Sequence, residues 1–202
     1  MKELLRTLLP FLSLGRVVYR VPWSKEIFLT FDDGPNPDVT PAILAILKKY
    51  SVPATFFLLG RHAATYPELV AKIADEGHSV ANHTFSHVIL STCTLGMFYQ
   101  EIQQCRKVVP GGNILRPPAG AIKLSSMLLA IVLRYKLVFW SVDALDYKKS
   151  RPFEQVIDNV IQAQPRQGDI ILFHDINKNT VKALPVIIEE LRQRGLNRFG
   201  TF

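Results

Sequence analysis

The sequence predicts an α/β fold in which seven parallel strands curl toward a barrel. Strand-like apolar runs alternate with helical patterns along most of the chain. This alternation is typical of a parallel sheet that is buried on both faces. Ionisable residues stand at or just after the ends of five of these runs, where catalytic groups of such barrels gather. The predicted strands cover 27–31, 54–59, 79–82, 114–116, 137–142, 170–173 and, most weakly, 197–202.

Helical patterns fill most of the gaps between the predicted strands. We expect Thr40 to cap a helix that has Pro41 in its first turn, and Gly77 and Gly195 to end two later helices. No internal repeat, linker or low-complexity segment divides the chain, so we predict one domain over 25–202. The predicted helices cover 41–50, 67–76, 95–108, 124–133, 153–162 and 181–194.

Composition excludes a disordered chain and indicates a basic surface. The 202 residues are 48% hydrophobic and 20% charged, which is ordinary for one globular core. The formal net charge of +7 favours anionic partners such as wall polymers, lipid head groups or nucleic acid. No nucleic-acid-binding signature accompanies the charge, so we expect no nucleic acid partner. Association with an anionic envelope surface stays open, and no stable protein partner is implied.

The first 24 residues have two interpretations. Lys2 and Arg6 precede the apolar run 8–14, which resembles the core of a signal peptide, but no small-x-small cleavage site follows. Charges at Arg6, Arg16 and Arg20 exclude a spanning helix of about 20 apolar residues. We therefore expect either a signal-like segment or a packed or interfacial helix. A secreted or envelope location is favoured, and a cytoplasmic one stays open.

Cysteine usage leaves the compartment undecided. The chain has two cysteines, Cys93 and Cys105. They do not form a CxxC metal motif, and they could be two free thiols or one disulfide bridge.

Two adjacent acids follow the first predicted strand. Asp32 and Asp33 come directly before Gly34-Pro35, which forces a turn. Neighbouring side chains at a strand end diverge, so one acid can bind a metal while the other faces a substrate. The competing interpretation is that both are only turn residues.

Two histidines and one of these acids form a candidate metal site. His83 and His87 are four residues apart, and one helical turn would put both rings on the same face. Asp33 would complete a facial triad that leaves coordination positions open for water and substrate. The ligand types predict one divalent metal ion, with zinc first and cobalt, nickel or manganese as alternatives.

A three-ligand site of this kind suits attack by metal-activated water on a carbonyl group. Such a reaction also needs a base and an acid. Asp32 is placed to be the base, and His174, at the end of the run 170–173, to be the acid. We expect Asp143 to orient and charge His174. The competing interpretation of His174 is a structural histidine at a strand end.

Five motifs in order resemble the polysaccharide deacetylases of the NodB-homology type, carbohydrate esterase family 4, over roughly 25–202. They are Thr-Phe-Asp-Asp-Gly-Pro at 30–35, His-Thr-Phe-Ser-His at 83–87, Arg-Pro-Pro-Ala-Gly at 116–120, Asp-Ala-Leu-Asp-Tyr at 143–147 and Leu-Phe-His-Asp at 172–175.

The resemblance implies a distorted (β/α)7 TIM-like barrel. It also implies removal of acetyl groups from the N-acetylated amino sugars of a polysaccharide, such as peptidoglycan or a chitin-like glycan. Carried over by position, it makes Asp32 the base and makes Asp33, His83 and His87 the metal ligands. Arg116 matches the arginine that orients the base. Asp143 matches the acid that tunes the catalytic His174.

The same resemblance implies a substrate pocket. Leu172 matches the residue that lines the space for the acetyl methyl group. Pro118 and Ala119 are also expected to bind substrate. Ala119 stands where an aromatic residue commonly precedes the glycine, and its N–H matches a donor to the oxyanion. We expect a groove that is wider or differently shaped there. Trp140 could pack in the barrel or stack on a sugar, and Tyr147 replaces a frequent tryptophan.

Three other functions fit the same fold. A hydrolase of small or cyclic amides is disfavoured, because members of that branch generally lack the full metal triad. A non-catalytic glycan-binding module is disfavoured, because both the predicted base and the predicted acid are present. Cleavage of O-acetyl esters, as on xylan, uses the same machinery and stays open.

Overall fold

The computed structural model describes residues 13, 15–148 and 150–202, and this part holds eight strands, seven helices and a 3-10 turn at Pro118–Gly120. The strands are β1 (Val17–Val18), β2 (Phe28–Asp32), β3 (Thr55–Leu58), β4 (Ser79–Asn82), β5 (Ile114–Leu115), β6 (Lys136–Val138), β7 (Val142–Asp143) and β8 (Ile170–His174). The helices are α1 (Thr40–Tyr50), α2 (Gly60–Thr65), α3 (Pro67–Asp75), α4 (Leu95–Arg106), α5 (Leu124–Val132), α6 (Phe153–Gln162) and α7 (Lys178–Gln193).

The strands form one parallel sheet in the order β1-β6-β5-β4-β3-β2-β8-β7. In a flat sheet of this order, β6 and β7 would lie about 29 Å apart, because neighbouring strands are spaced by about 4.8 Å. Only residues 139–141 connect them, and such a link spans at most about 15 Å. The sheet must therefore curl until its two ends meet. The predicted fold class, a distorted TIM-like barrel, is confirmed.

The central strands are apolar because both faces of the sheet are buried. Every residue of β2 and β3 is buried. Phe31 of β2 stacks on Phe56 of β3 and Phe173 of β8, with ring centroids 5.0 and 5.4 Å apart. Burial of such side chains contributes about 1.5–3 kcal/mol each. This packing fixes the relative positions of the strands that carry the site.

Several predicted elements differ from the observed ones. The predicted strand 137–142 is two strands, β6 and β7, because the chain crosses the gap between the sheet ends at 139–141. The predicted strand 197–202 is wrong, since the structure has only an isolated bridge between Ile27 and Phe199 there. Strand β1 and helix α2 were not predicted, because two and six residues are too short to show a period.

The expected cap at Thr40 is also wrong. The cap position of α1 is Val39, and Thr40 is the first helical residue. The Thr40 hydroxyl instead donates to Asp175 Oδ2 (2.6 Å) and accepts from the backbone N–H of Asn36 (2.7 Å). It therefore ties the loop after β2 to the end of β8.

The predicted N-terminal segment is described only in part. Most of the apolar run 8–14 lies outside the described residues, whereas Val17 and Val18 form β1 and pair with β6. Among the described residues, no helix is both long and apolar enough to cross a membrane. Cys93 and Cys105 are free thiols, and both are buried.

The parallel arrangement brings the polar strand ends to one edge of the sheet. β2 ends at Asp32, β4 ends just before His83, β5 just before Arg116, and β8 at His174. Because all strands run in the same direction, these residues face one mouth.

Candidate active site

A buried ion pair between Arg116 and Asp32 forms the centre of the site. Arg116 is fully buried, and its Nη1 donates to Asp32 Oδ1 (2.7 Å) and Thr30 Oγ1 (2.8 Å). Its Nε and Nη2 donate to the carbonyl oxygens of Val138 and Phe139, both at 3.0 Å. A buried arginine needs this many acceptors, because every unpaired N–H would cost desolvation energy.

The environment of Asp32 sets its proton affinity. Burial raises the pKa of the Asp32 carboxyl above its usual value, and the charges of Arg116 and His174 limit that rise. Since a guanidinium stays charged in proteins, Arg116 holds the carboxylate form in place. A buried carboxylate with a raised pKa is a stronger base than a solvated one.

Asp33, His83 and His87 lie together beside this pair. Asp33 has a left-handed backbone (φ 74°). Asp33 Oδ1 is 3.6 Å from His83 Nε2 and 3.4 Å from His87 Nε2. One ligand atom from each residue lies within 4.8 Å of the others.

The predicted helical turn at 83–87 is wrong. This segment is a loop in which Thr84 and His87 adopt left-handed backbone angles (φ 68° and 66°). The carboxylate of Glu101 on α4 accepts hydrogen bonds from the N–H groups of Phe85 and Ser86 (2.9 and 2.8 Å). The loop, held by Glu101, therefore brings the two rings together, and no helical period is involved.

These three residues fit a divalent metal ion. The carbonyl oxygen of Arg116 lies 2.8 Å from His83 Nδ1, so Nδ1 carries the proton and Nε2 has its lone pair free. Burial lowers the pKa of His83 to about 3, which keeps the ring neutral as a metal ligand requires. Asp33 Oδ1 is buried and accepts no hydrogen bond within the described structure. A cation would satisfy that oxygen, and N and O donors suit zinc or a neighbouring transition metal.

Asp146 contacts His174, and the expected pairing of His174 with Asp143 is wrong. His174 Nδ1 lies 2.7 Å from Asp146 Oδ1, and the backbone N–H of His174 donates to Asp146 Oδ2 (2.8 Å). Thr180 on α7 donates to the same Oδ2 (2.5 Å). Burial lowers the pKa of His174, but the hydrogen bond and charge of Asp146, with the charges of Asp32 and Asp33, raise it to about 9.

Asp143 has a different set of contacts. Its Oδ1 accepts from the backbone N–H of Leu145 (2.8 Å), so it shapes the turn that delivers Asp146. Burial raises the pKa of Asp143. Leu145 has a left-handed backbone (φ 53°), so the chain reverses between the two acids of the motif. Asp146, the second acid, therefore contacts His174 in place of Asp143, the first.

A cavity of about 370 Å³ joins these groups at the mouth. Of the residues predicted to bind substrate, Leu172, Ala119 and Trp140 line it, whereas Pro118 is buried in the 3-10 turn and is not part of the lining. The other lining residues are Asp32, Asp33, His83, His87, Asp143, Tyr147 and His174.

Asp175 supports the loop that carries Asp33. Its backbone N–H donates to the Asp32 carbonyl (2.8 Å), and its Oδ2 accepts from Thr40. A Cβ on Gly34 would lie 2.3 Å from Asp175 Oδ2, so only glycine allows this approach. Burial raises the pKa of Asp175 well above its usual value. The sequence gives no signal for this contact, because it joins residues far apart in the chain.

Comparison with known proteins identifies the family. The family model described as polysaccharide deacetylase matches residues 20–138. A chitooligosaccharide deacetylase from Bradyrhizobium sp. (strain ANU 289) is 33% identical, over 93% of this chain and 94% of the relative. The crystal structure of a peptidoglycan N-acetylglucosamine deacetylase gives a TM-score of 0.89 at 32% identity, covering 96% of this chain and 94% of that one. The chain belongs to the polysaccharide deacetylase family, and the predicted family and enzyme class are confirmed.

The fold of this family also occurs without activity. A CE4 family pseudoenzyme from Bacillus anthracis gives a TM-score of 0.85 at 26% identity, covering 92% of this chain and 67% of that chain. The reaction of the present chain must therefore be argued from its own site residues.

Removal of either of two ligands should abolish tight metal binding. We expect Asp33→Ala and His83→Ala to weaken zinc affinity by more than the roughly 10–100-fold that loss of a residue supporting a ligand costs. Equilibrium dialysis followed by elemental analysis measures this. Asp38→Ala, which removes an exposed carboxylate from the same loop, is the matched control and should bind zinc as the wild type does. Zinc binding that is undiminished in both ligand variants would contradict the assignment.

Proposed function

We propose that this protein removes acetyl groups from the N-acetylated amino sugars of a polysaccharide, in a metal-dependent hydrolysis. The observation that carries the proposal is the convergence of an arginine-paired carboxylate, a candidate metal-ligand trio and a carboxylate-paired histidine on one cavity. Relatives named as chitooligosaccharide and peptidoglycan N-acetylglucosamine deacetylases support the substrate class. When bound by Asp33, His83 and His87, a divalent cation supplies polarisation of the amide carbonyl and acidification of a water molecule.

Asp32 acts as the general base. Its Oδ1 is occupied by Arg116, while Oδ2 lies 3.7 Å from His83 Nε2, on the side of the metal ligands. Oδ2 is therefore the oxygen that takes a proton from the attacking water. Arg116 fixes the carboxylate plane, so the base does not have to reorient during the reaction.

His174 acts as the general acid on the departing amine. Its Nδ1–H donates to Asp146, so Nε2 is the nitrogen that gives up a proton. With a pKa of about 9, the ring is protonated at neutral pH and ready to donate. An amine leaves poorly unless it is protonated, so this group is essential for amide cleavage.

Ala119 supplies a backbone donor to the developing oxyanion. The hydrogen bonds of the 3-10 turn come from the N–H groups of Gly120 and Ala121. The N–H of Ala119 is thus left for the substrate carbonyl oxygen, which gains charge as water adds. The small Ala119 side chain and Trp140 form part of the cavity wall.

Acetate release tests the proposal directly. We expect zinc-loaded protein to release acetate from chitin oligomers or peptidoglycan, and Asp32→Asn to lower the rate by roughly 10²–10⁴-fold because a positioned base is lost. Asp38→Asn is the matched control and should leave the rate unchanged. Acetate from acetylated xylan alone would contradict amide specificity, and none from any of the three substrates would indicate a non-catalytic module.

The pH profile separates Asp146 from Asp143. The acid must be protonated, so activity that depends on His174 is present below its pKa of about 9 and is lost as the pH rises through that value. Loss of the Asp146 charge in Asp146→Asn should lower the pKa of His174 and move the alkaline limb of kcat/KM down by roughly 1–3 pH units. Asp143→Asn is the control and should leave that limb nearly in place. A larger downward shift in Asp143→Asn than in Asp146→Asn would contradict the assignment.

A further inference from the structure

Helix α5 exposes an unbroken apolar row. Leu124, Leu128 and Val132 are 65%, 53% and 76% exposed, and their spacing of four residues places them on one face of the helix. The opposite face packs inward through Ser126 and Ala130. The outer face of a surface helix normally carries charged or polar residues, but α5 contains no charged residue at all.

The apolar row continues at the start of the neighbouring helix. Lys123, just before α5, donates through Nζ to the carbonyl oxygen of Cys93, just before α4. The two helices therefore begin side by side. Leu95 and Met97, in the first turn of α4, are 44% and 48% exposed.

The sequence that contains α5 and the end of α4 has several cations and no acidic residue. Residues 102–142 contain no aspartate or glutamate. Arg106 and Lys107 at the end of α4, and Arg134 after α5, are exposed. Arg16 donates through Nη1 to the carbonyl oxygen of Arg134 (2.7 Å), which brings a further cation to this end of α5.

The ends of the two helices also meet. Burial raises the pKa of Tyr135, which follows Arg134, and the nearby charge of Arg106 partly offsets that rise. Arg106, Lys107 and Arg134, which stand at or just after the ends of these helices, therefore gather at one end of the apolar row, beyond Val132.

We propose that Leu124, Leu128 and Val132, with the cations Arg106, Lys107 and Arg134, form a docking surface for an anionic lipid bilayer. An apolar helix face bordered by arginine and lysine is the arrangement that inserts at the interface of anionic membranes. An anionic occupant complements these cations, and residues 102–142 contribute no acid that would offset them. A second copy of the chain is the competing occupant, and the oligomeric state of the chain without lipid distinguishes it. The proposal is independent of the catalytic function.

Vesicle co-sedimentation tests the docking surface. The full chain is mixed with vesicles of phosphatidylcholine alone or with phosphatidylglycerol added. We expect binding to the anionic vesicles only, a loss of about fivefold in partitioning for Arg134→Gln, and a loss of more than tenfold for Leu124→Ser/Leu128→Ser/Val132→Ser. Lys178→Gln and Val186→Ser, at exposed positions of α7, are the matched controls and should bind as the wild type does.

Three outcomes would overturn the proposal. The first is wild-type partitioning of the triple variant, with thermal melting showing that it is folded. The second is loss of binding in Leu5→Ser/Leu8→Ser but not in the triple variant, which would assign lipid binding to the apolar and basic sequence 1–12. The third is a dimer of the wild type in lipid-free sedimentation that becomes monomeric in the triple variant, which would make the row a contact between copies.

Discussion

The buried hydrogen-bonded ion pair between Arg116 and Asp32 is the interaction on which the rest of the site depends. One guanidinium bonds to the end of β2 through Asp32, and to the carbonyl oxygens of the last residue of β6 and of the residue after it. The carbonyl oxygen of the same arginine fixes the ring of His83. Arg116 therefore connects the proposed base, the proposed metal ligands and the closing edge of the sheet. Loss of one partner from such a buried pair typically costs about 3–5 kcal/mol, because the other charge is left uncompensated.

The site keeps two ionised pairs with opposite tasks. In one, burial raises the pKa of the Asp32 carboxyl, and the charge of Arg116 limits that rise. In the other, Asp146 holds a histidine whose pKa rises to about 9. In the proposed mechanism, the first pair supplies the base and the second supplies the acid. Asp33, His83 and His87 lie beside the first pair, since His83 Nε2 is 3.7 Å from Asp32 Oδ2 and 3.6 Å from Asp33 Oδ1.

Sequence patterns predicted the fold class and the residues that meet at the mouth, because parallel strands must deliver their ends to one edge. Asp32, Asp33, His83 and His174 follow directly from this rule. The errors arose where backbone reversals, rather than periodicity, position a side chain. Leu145 turns the chain so that Asp146 replaces Asp143 beside His174, and Thr84 and His87 form a loop where a helical turn was predicted. The crossing at 139–141 depends on the curl of the whole sheet, and the contacts of Thr40 and Asp175 join distant parts of the chain, so neither is encoded locally.

The central claim is that Arg116 and Asp32 work as one unit. The direct measurement is a double-mutant cycle of kcat/KM for acetate release with Asp32→Asn, Arg116→Gln and the double variant, with zinc content confirming that each variant retains the metal site. If the pair is a unit, the double variant will be scarcely slower than the slower single variant. Losses that multiply across the two positions would contradict it, since they would show that Arg116 acts on catalysis by a route that does not involve Asp32.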